Sequence, residues 1–257
     1  MSVGFQFDLT GRTALVTGAS SGTGRRFAEI LAASGARVVI AARRVAMLED
    51  LRDKIVAAGG EALAVQMDVA DEASTIAAFD AATAAFGPVD TVIANAGVSL
   101  PGSSMGIAIE DFDTTMAVNL RGAFLTCREG ARRMVAQGCP ESGRGRIVII
   151  SSITGHHPSA NVPYGASKAA VSQMGRALAK EWATKGINVN VIAPGYMRTD
   201  LTETLWEVER GQTLLAGFPR RRIMSLNALD PMLLYLCSDA SAEVTGSVMT
   251  IDDGQTL

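Results

Sequence analysis

The fold of this chain is decided by the stretch TGASSGTG, Thr17–Gly24. It follows the apolar run TALV and precedes a segment in which Phe27, Ile30 and Leu31 recur at helical spacing. A strand, a glycine-rich turn and a helix in this order direct free backbone N–H groups and the positive end of a helix dipole at the turn. The spacing G-x-x-x-G-x-G differs from the standard G-x-G-x-x-G fingerprint, and alone it is equally typical of an ordinary turn. The flanking strand and helix favour a pyrophosphate-binding site.

Outward from this turn, short apolar runs alternate with amphipathic segments. The strand-like runs are TALVTG, RVVIAA, ALAVQMDV, DTVIANAG, GRIVIISS, INVNVIAPG and SVMTID, and the longest helical patterns are Asp111–Gln137 and Val162–Thr184. This alternation predicts right-handed βαβ crossovers and a parallel sheet covered on both faces. We expect one α/β domain over residues 1–257, Rossmann-like and doubly wound, with about seven strands. The irregular segment 197–225 is expected to form a mobile substrate lid.

The composition is that of a folded protein without a bulk attraction for nucleic acid. The chain has 257 residues, 48% of them hydrophobic, and a net charge of −3. It lacks a secretory signal pattern and an apolar stretch long enough to span a bilayer. Cys127, Cys139 and Cys237 are widely spaced, and the only histidines are His156 and His157, so neither a disulfide framework nor a metal site is indicated. We expect a cytoplasmic protein with no metal, nucleic-acid partner or membrane contact.

The second strand ends without the acidic residue that would bind a ribose 2′-hydroxyl. It reads VVIAARR, with Ala42 in the acidic position and Arg43 and Arg44 behind it. The planar fork of an arginine suits a 2′-phosphate, so we predict NADP(H) over NAD(H), with Arg43 as the contact. NAD(H) is the alternative if both arginines only solvate the start of the next helix.

The stretch YGASK, Tyr164–Lys168, places a tyrosine and a lysine one helical turn apart. A free tyrosine titrates near pH ~10, and a neighbouring ammonium group favours its phenolate. The pair is either a tuned proton donor or two amphipathic residues on a helix surface. The other motifs of the chain favour the proton donor.

Five motifs in order resemble the short-chain dehydrogenase/reductase family over nearly the whole chain: TGASSGTG, NAG, ISS, YGASK and APG. Each motif is weak singly, but the ordered set at strand and helix boundaries is specific. The resemblance implies hydride transfer between nicotinamide and a ketone or secondary alcohol. The spacing in YGASK favours C=O over C=C reduction, because a related enoyl reductase branch separates its tyrosine and lysine further.

The resemblance also implies roles for individual residues. Tyr164 is expected to be the general acid/base, and Lys168 to bind the nicotinamide ribose and lower the pKa of that phenol. Ser152, preferred to Ser151, is expected to hydrogen-bond the substrate oxygen, and Asn119 to hold a proton-relay water with the backbone. The expected cofactor contacts are Gly18, Ser20, Ser21, Gly22, Thr23, Gly24, Arg43, Asp68, Val69, Asn95, Ala96, Gly97, Tyr164, Lys168, Pro194, Gly195, Met197 and Thr199.

Three positions depart from the family pattern without removing a catalytic group. Thr23 replaces an aliphatic residue, Ala94 precedes NAG where Asn is common, and DDG at Asp252–Gly254 replaces Asp-Gly-Gly. The first departure is expected to alter the cofactor cradle slightly. The third is expected to change a subunit contact or a backbone turn.

The substrate cannot be read from the sequence. A 3-oxoacyl-thioester reductase is the alternative enzyme, for which Arg220, Arg221 and Arg222 would attract the anionic carrier unless they are simply solvated. A catalytically silent dinucleotide sensor is the alternative of a different class. His156 and His157 are either substrate contacts or exposed loop residues. As in the resembled family, a homotetramer or homodimer is expected.

Overall fold

Seven parallel strands form the central sheet of the computed structural model, which describes residues 7–199 and 202–257. The strands are β1 (Thr13–Thr17), β2 (Arg37–Ala42), β3 (Glu61–Gln66), β4 (Thr91–Ala94), β5 (Gly145–Ile150), β6 (Ile187–Pro194) and β7 (Val248–Ile251). Their order in the sheet is β3-β2-β1-β4-β5-β6-β7. Each strand coincides with one of the predicted apolar runs, so the predicted α/β fold is confirmed.

The helices connect these strands. They are α1 (Gly22–Ala33), α2 (Val45–Ala57), α3 (Glu72–Phe86), α4 (Ile109–Met116), α5 (Ala123–Ala136), α6 (Cys139–Ser142), α7 (Val162–Trp182), α8 (Glu209–Gly217) and α9 (Asp230–Cys237). The helix predicted over Asp111–Gln137 is interrupted between α4 and α5 by a π-helical segment, Ala117–Gly122. Helices α6, α8 and α9 were not predicted. Within the described ranges, no helix is both long and apolar enough to cross a membrane.

Helices cover both faces of the sheet, as the apolar runs predicted. Within β1, Ala14 and Val16 pack in one core with Phe27 of α1. The intervening Leu15 packs in the opposite core with Phe79 of α3. Alternate side chains of a strand point to opposite faces, so a run that is apolar throughout can fill two cores.

The strand order reverses between β1 and β4, and this switch point opens a crevice at the carboxyl ends of the strands. A Cβ on Gly18, just after β1, would lie 2.8 Å from the Cα of Ala96, which follows β4. Only a glycine at position 18 therefore allows the two chain segments to meet. The motifs identified in the sequence all lie at this edge of the sheet.

Candidate active site

The glycine turn adopts the conformation that a phosphate cradle requires. Gly18 and Gly22 have φ angles of 68° and 55°, in the left-handed region that glycine enters without a steric penalty. A Cβ on Gly24 would collide with the Gly18 carbonyl, so this glycine lets α1 start directly against the turn. Thr199 flanks the open side of the turn, 3.7 Å from where a Gly22 Cβ would stand.

Thr23 ties the turn to the segment behind β4. Its hydroxyl donates a hydrogen bond of 2.8 Å to Asn95 Oδ1, and Asn95 Nδ2 donates to the Thr17 carbonyl at 2.9 Å. An aliphatic residue at position 23 could not make the first of these bonds. The departure at Thr23 therefore adds a polar link across the cradle. Ala94 is buried in β4, and nothing in the structure explains its departure from the pattern.

Of the two arginines after β2, Arg44 reaches the turn. Its guanidinium donates to Ser20 Oγ at 3.2 and 2.9 Å and to Ser21 Oγ at 2.9 Å. Arg43, the predicted contact, is exposed and has no hydrogen bond or ion pair to the rest of the described chain. Sequence reasoning noted both arginines but could not tell which one faces the turn.

Asp68 and Val69 lie after β3 beside this crevice. Asp68 Oδ1 accepts a hydrogen bond of 3.0 Å from the Ala70 N–H, which fixes the loop. The cap of α3 is Asp71, whose carboxylate accepts from the Ala73 N–H at 2.8 Å. Asp68 is therefore not needed as a helix cap.

The catalytic candidates Tyr164 and Lys168 lie on the first turns of α7. Asn161 caps this helix, because its Oδ1 accepts from the Tyr164 N–H at 3.2 Å, while its Nδ2 donates to Ser99 Oγ at 2.9 Å. Asn161 thus positions Tyr164 and anchors the loop after β4. Sequence reasoning missed it, although an Asn directly before the first apolar residue of a helical run, here Val162, is a recognisable cap signal.

The two serines after β5 point in different directions. Ser151 Oγ donates to the Lys168 carbonyl at 2.8 Å and lies 2.7 Å from Ser172 Oγ, so it is bound to the body of α7. Ser152 Oγ accepts from Thr154 and stands beside the phenol of Tyr164. The structure therefore brings Ser152, and not Ser151, to the tyrosine.

Lys168 is a buried cation with donors to spare. It is only 4% exposed, and its Nζ donates to the Ile150 carbonyl at 2.9 Å. An ammonium group carries three N–H donors, so two remain for other acceptors. Burial lowers the pKa of Lys168 to about 8. A Cβ on Gly97 would lie 3.4 Å from Nζ, so the segment behind β4 passes close above it.

The pKa of Tyr164 differs from the expectation. Burial of its phenol raises this pKa to about 12, and the neighbouring Ser152 hydroxyl opposes the rise only in part. Lys168 Nζ lies 5.6 Å from the centre of the Tyr164 ring. The protein groups alone therefore hold the phenol protonated, in the form that donates a proton.

Asn119 lies in the π-helical segment and is almost fully buried. Its Oδ1 accepts from the Val98 N–H at 2.8 Å, and its Nδ2 donates to the Val98 carbonyl at 2.9 Å and to Ser167 Oγ at 3.0 Å. Protein groups thus take both N–H donors of the side-chain amide and one of the two acceptor positions of its oxygen. A π turn shifts backbone carbonyls out of the regular helical pattern and is frequent at functional sites. The expected contact of the Asn119 backbone with a relay water stays a prediction.

The segment after β6 crosses the crevice. Gly195 N–H donates to the Ile251 carbonyl at 2.8 Å, and a Cβ on Gly195 would lie 2.5 Å from Gln255 Oε1, so Pro194 and Gly195 lie tightly against the C-terminal turn. Met197 is buried, and its backbone pairs with that of Met224 in an isolated parallel β-bridge. The lid predicted over 197–225 contains a short helical turn (Glu203–Glu207) and α8, and its positions 200 and 201 lie outside the described residues.

The departure at Asp253 is explained by this segment. Asp253 has a φ of 53°, and its carboxylate accepts from Arg222 Nε at 2.6 Å and pairs with Arg220 Nη1 at 3.0 Å. Two of the three consecutive arginines are therefore bound to the chain itself. His156 points to β7, 3.4 Å from Thr250 Oγ1.

The crevice fits a nicotinamide dinucleotide. The segment after β4 passes the glycine turn at Ala96 and passes Lys168 at Gly97, so the turn and the lysine lie along the same edge of the sheet. Lys168 offers spare donors and Tyr164 offers a proton at this edge. The residues that the structure describes contain no cluster of three or more His, Cys, Asp or Glu side chains that could hold a metal ion. Fold and site together define the class of nicotinamide-dependent oxidoreductases.

Comparison with known proteins narrows this class. The family model for short chain dehydrogenases matches residues 12–210. D-threitol dehydrogenase of Mycolicibacterium smegmatis is 36% identical over 100% of this chain and 97% of its own length. Galactitol 2-dehydrogenase (L-tagatose-forming) of Cereibacter sphaeroides is 38% identical over 98% of this chain and 97% of its own length. A 3-oxoacyl-[acyl-carrier-protein] reductase of Salmonella typhimurium is 32% identical over 95% and 97%.

Solved structures agree with these relatives. The gluconate 5-dehydrogenase of Burkholderia cenocepacia, in complex with NADP and tartrate, superposes with a TM-score of 0.91 at 32% identity, over 98% of this chain and 97% of that one. The chain belongs to the short-chain dehydrogenase family. It is an NAD(P)-dependent oxidoreductase that transfers a hydride between nicotinamide and a ketone or secondary alcohol.

Proposed function

We propose that this enzyme is an NADP(H)-preferring carbonyl reductase and alcohol dehydrogenase in which Tyr164 is the general acid/base. The observation that carries the proposal is the set of Ser152, Tyr164 and Lys168, which lie after β5 and on the first turns of α7. A positioned proton donor contributes roughly 10²–10⁴-fold to such a reaction.

Each side chain has a separate task in this mechanism. A bound nicotinamide supplies or accepts the hydride. Tyr164 donates its proton to the carbonyl oxygen as negative charge develops there, and Ser152 holds that oxygen in place. Because burial holds the Tyr164 pKa at about 12, the protonated form needed for reduction dominates at neutral pH. In the direction of oxidation, the charge of Lys168 favours the phenolate that removes the alcohol proton.

The preference for NADP(H) is supported by Arg44. Its guanidinium is anchored on Ser20 and Ser21, beside the end of β2 where a ribose would lie. No carboxylate stands at Ala42 to repel a 2′-phosphate or to bind a 2′-hydroxyl. We assign the 2′-phosphate contact to Arg44, with Arg43 as an outer charge. The remaining cofactor contacts are those proposed from the sequence.

The alternative activity on acyl-carrier thioesters is not favoured. A docking site for an anionic carrier needs free cations, whereas Arg220 and Arg222 are both paired with Asp253. A catalytically silent sensor is opposed by the complete set of catalytic side chains. We propose that the segment 197–225 serves instead as the lid of the substrate site.

We also propose a cytoplasmic homotetramer. The groove formed by Met116, Leu120, Phe124 and Met174, about 530 Å³ in volume, is an apolar surface suited to a second copy of the chain. Cys127, Cys139 and Cys237 are buried free thiols, as expected in a reducing compartment. Size-exclusion chromatography with light scattering tests the assembly.

A spectrophotometric panel tests the activity. The purified enzyme is assayed with ketones, secondary alcohols and acetoacetyl thioesters, each with NADP(H) and with NAD(H). We expect turnover of ketones or alcohols with a higher kcat/KM for NADP(H). Turnover of none of the carbonyls or alcohols by a protein that binds NADPH would support the sensor, and a preference for NAD(H) would refute the cofactor assignment.

A further inference from the structure

Within the described ranges, the indole N–H of Trp206 is a buried donor without an acceptor. Trp206 is 4% exposed, and its Nε1 has no hydrogen-bond partner among the residues that the structure describes. Leaving such a group unpaired costs roughly 1–3 kcal/mol, and buried tryptophans usually find an acceptor. The other buried unpaired atom, Arg128 Nε, belongs to a guanidinium already paired with Glu72. The Trp206 N–H is therefore the buried donor that a bound ligand with an acceptor atom would stabilise.

The position of Trp206 is fixed by its own segment. Gln212 Nε2 of α8 donates to the Trp206 carbonyl at 2.5 Å. A Cβ on Gly211 would collide with the Leu205 carbonyl, so α8 packs directly on the turn that carries the indole. These contacts hold the backbone of Trp206 but give its N–H no acceptor.

Tyr196 connects Trp206 with the reaction centre. Its ring lies edge-to-face with Trp206 at 5.9 Å between centroids and stacks on Phe218 at 5.8 Å. Its backbone N–H donates to Gln255 Oε1 at 2.6 Å, and its carbonyl accepts from the Met224 N–H at 3.1 Å. Tyr196 is thus held just after the carboxyl end of β6. The neighbouring strand β5 leads at its own carboxyl end to Ser152.

Tyr196 lies on the same edge of the sheet as the catalytic phenol, because it follows the carboxyl end of β6, the strand that pairs with β5. No side chain in the described ranges hydrogen-bonds the Tyr196 hydroxyl, and Tyr196 adds in a minor way to the raised pKa of Tyr164. Tyr164 and Ser152 are already assigned to the reacting oxygen. Tyr196 and Trp206 then offer one hydroxyl and one N–H donor, set in an aromatic wall, to a second polar group of the substrate.

We propose that Tyr196 and Trp206 are specificity-determining residues that bind a hydroxyl group adjacent to the reacting carbon, so that the substrates are vicinal polyhydroxy compounds, α-hydroxy ketones and vicinal diols. Rings that pack against C–H groups beside donors for hydroxyls match this chemistry. A simple ketone would leave the indole N–H unpaired in the complex. Sites built to hydrogen-bond a substrate hydroxyl discriminate strongly against analogues that lack it.

The inference rests on the proposed function and is tested with two matched substrate pairs. Acetoin is compared with butanone, and dihydroxyacetone with acetone, because the members of each pair differ only in hydroxylation next to the carbonyl. The quantity measured is the ratio of kcat/KM within each pair at saturating NADPH. We expect a ratio above about 10 for the wild type. A tenfold difference in kcat/KM corresponds to the free energy that one good hydrogen bond contributes.

Variants identify the residues responsible. Tyr196→Phe and Trp206→Phe keep an aromatic ring and remove one polar group each, and each is expected to lower the ratio about 5-fold or more. The matched controls, Tyr235→Phe and Trp182→Phe, change the same residue types on α9 and at the end of α7 and should leave the ratio unchanged. Circular dichroism and the Kd for NADPH verify that all four variants are folded and bind cofactor.

The outcomes separate the two proposals. A wild-type ratio near one, or a ratio that neither Tyr196→Phe nor Trp206→Phe lowers, overturns the inference while turnover of the simple ketones keeps the proposed function. Absence of turnover on these pairs and on the wider panel of ketones and alcohols overturns the proposed function itself.

Discussion

The ammonium nitrogen of Lys168 lies 5.6 Å from the centre of the Tyr164 ring while it donates a hydrogen bond of 2.9 Å to the Ile150 carbonyl at the end of β5. One helical turn of α7 separates the two residues, so both face the same strand end. The lysine is therefore fixed by the sheet and not by the tyrosine. Its ammonium lies near the Tyr164 ring, and two of its three donors have no acceptor among the described residues.

Replacement of Tyr164 by Phe is expected to remove turnover. The variant lacks the proton donor and should lose roughly 10²–10⁴-fold in kcat, the usual contribution of general acid catalysis. The phenol makes no hydrogen bond to the glycine turn, so the Kd for NADPH should change less than about 3-fold. Steady-state assays and fluorescence titration measure the two quantities. Substantial residual kcat would show that another group transfers the proton.

The buried charge of Lys168 is expected to cost stability. Its pKa falls from 10.5 to about 8 on folding, so between these values the unfolded chain binds a proton that the folded chain releases. Stability therefore rises with pH across this window and carries the full penalty below it. Lys168→Met should raise Tm by roughly 2–8 °C near pH ~7 and abolish activity.

The pH dependence separates charge from packing. The Tm advantage of Lys168→Met should shrink as pH rises from ~7 to ~10, because the wild-type lysine becomes neutral in the folded state. Thermal unfolding followed by circular dichroism at several pH values measures this difference. An advantage that stays constant with pH would show that the methionine only packs better.

Most of the fold was predictable because each strand is a short apolar run that fills two cores. Helix α9 was missed because its sequence, DPMLLYLC, is apolar on every side and shows no helical period. The π-helical segment was missed because AVNLRG has the same residue spacing in either kind of helix. The spacing of apolar residues indicates which side of a helix is buried. It does not reveal the additional residue that a π-helical turn contains.

The candidate site was predictable in its motifs but not in its contacts. Arg43 and Arg44 are adjacent and chemically identical, and only the end of β2 decides which of them points at the turn. The link from Thr23 to Asn95 joins positions far apart in sequence, so no local pattern could indicate it. Trp206 belongs to none of the sequence motifs. Its indole N–H is of interest because the fold buries it without an acceptor among the described residues, and sequence alone does not show this.

The adjacent arginines give a matched test of cofactor choice. Arg44→Ala should raise the KM for NADPH roughly 10–100-fold, the value of one or two charge-assisted hydrogen bonds, and change the KM for NADH little. Arg43→Ala is the control with the same loss of charge and should change the KM for NADPH only a few-fold. If Arg43→Ala raised the KM for NADPH more than Arg44→Ala does, Arg43 would be the residue that contacts the 2′-phosphate.

The ion pairs of Asp253 are expected to hold the end of the lid closed. Asp253→Asn keeps a residue type that tolerates a positive φ but removes the charge that binds Arg220 and Arg222. The KM for the carbonyl substrate should rise about 2–5-fold, and wild type in ~1 M salt should behave like the variant. Arg221→Gln is the control, since Arg221 makes no ion pair with the rest of the described chain. Identical kinetics of wild type and Asp253→Asn at low salt would contradict this role.

Asn119 is expected to act as a positioning residue, because Val98 and Ser167 take both N–H donors of its amide and the Val98 N–H donates to its oxygen. Asn119→Ala leaves the partly buried backbone N–H and carbonyl of Val98 without these partners and should lower the free energy of unfolding by about 1–3 kcal/mol. With the π-helical turn loosened, kcat should fall at least ~10-fold and the Kd for NADPH should change little, since the glycine turn is untouched. Ser167→Ala removes only one partner of the amide and should have a smaller effect on both quantities. Unfolding in urea and steady-state kinetics measure them, and a stable Asn119→Ala enzyme with wild-type kcat would mean that the π-helical turn holds its shape without this side chain.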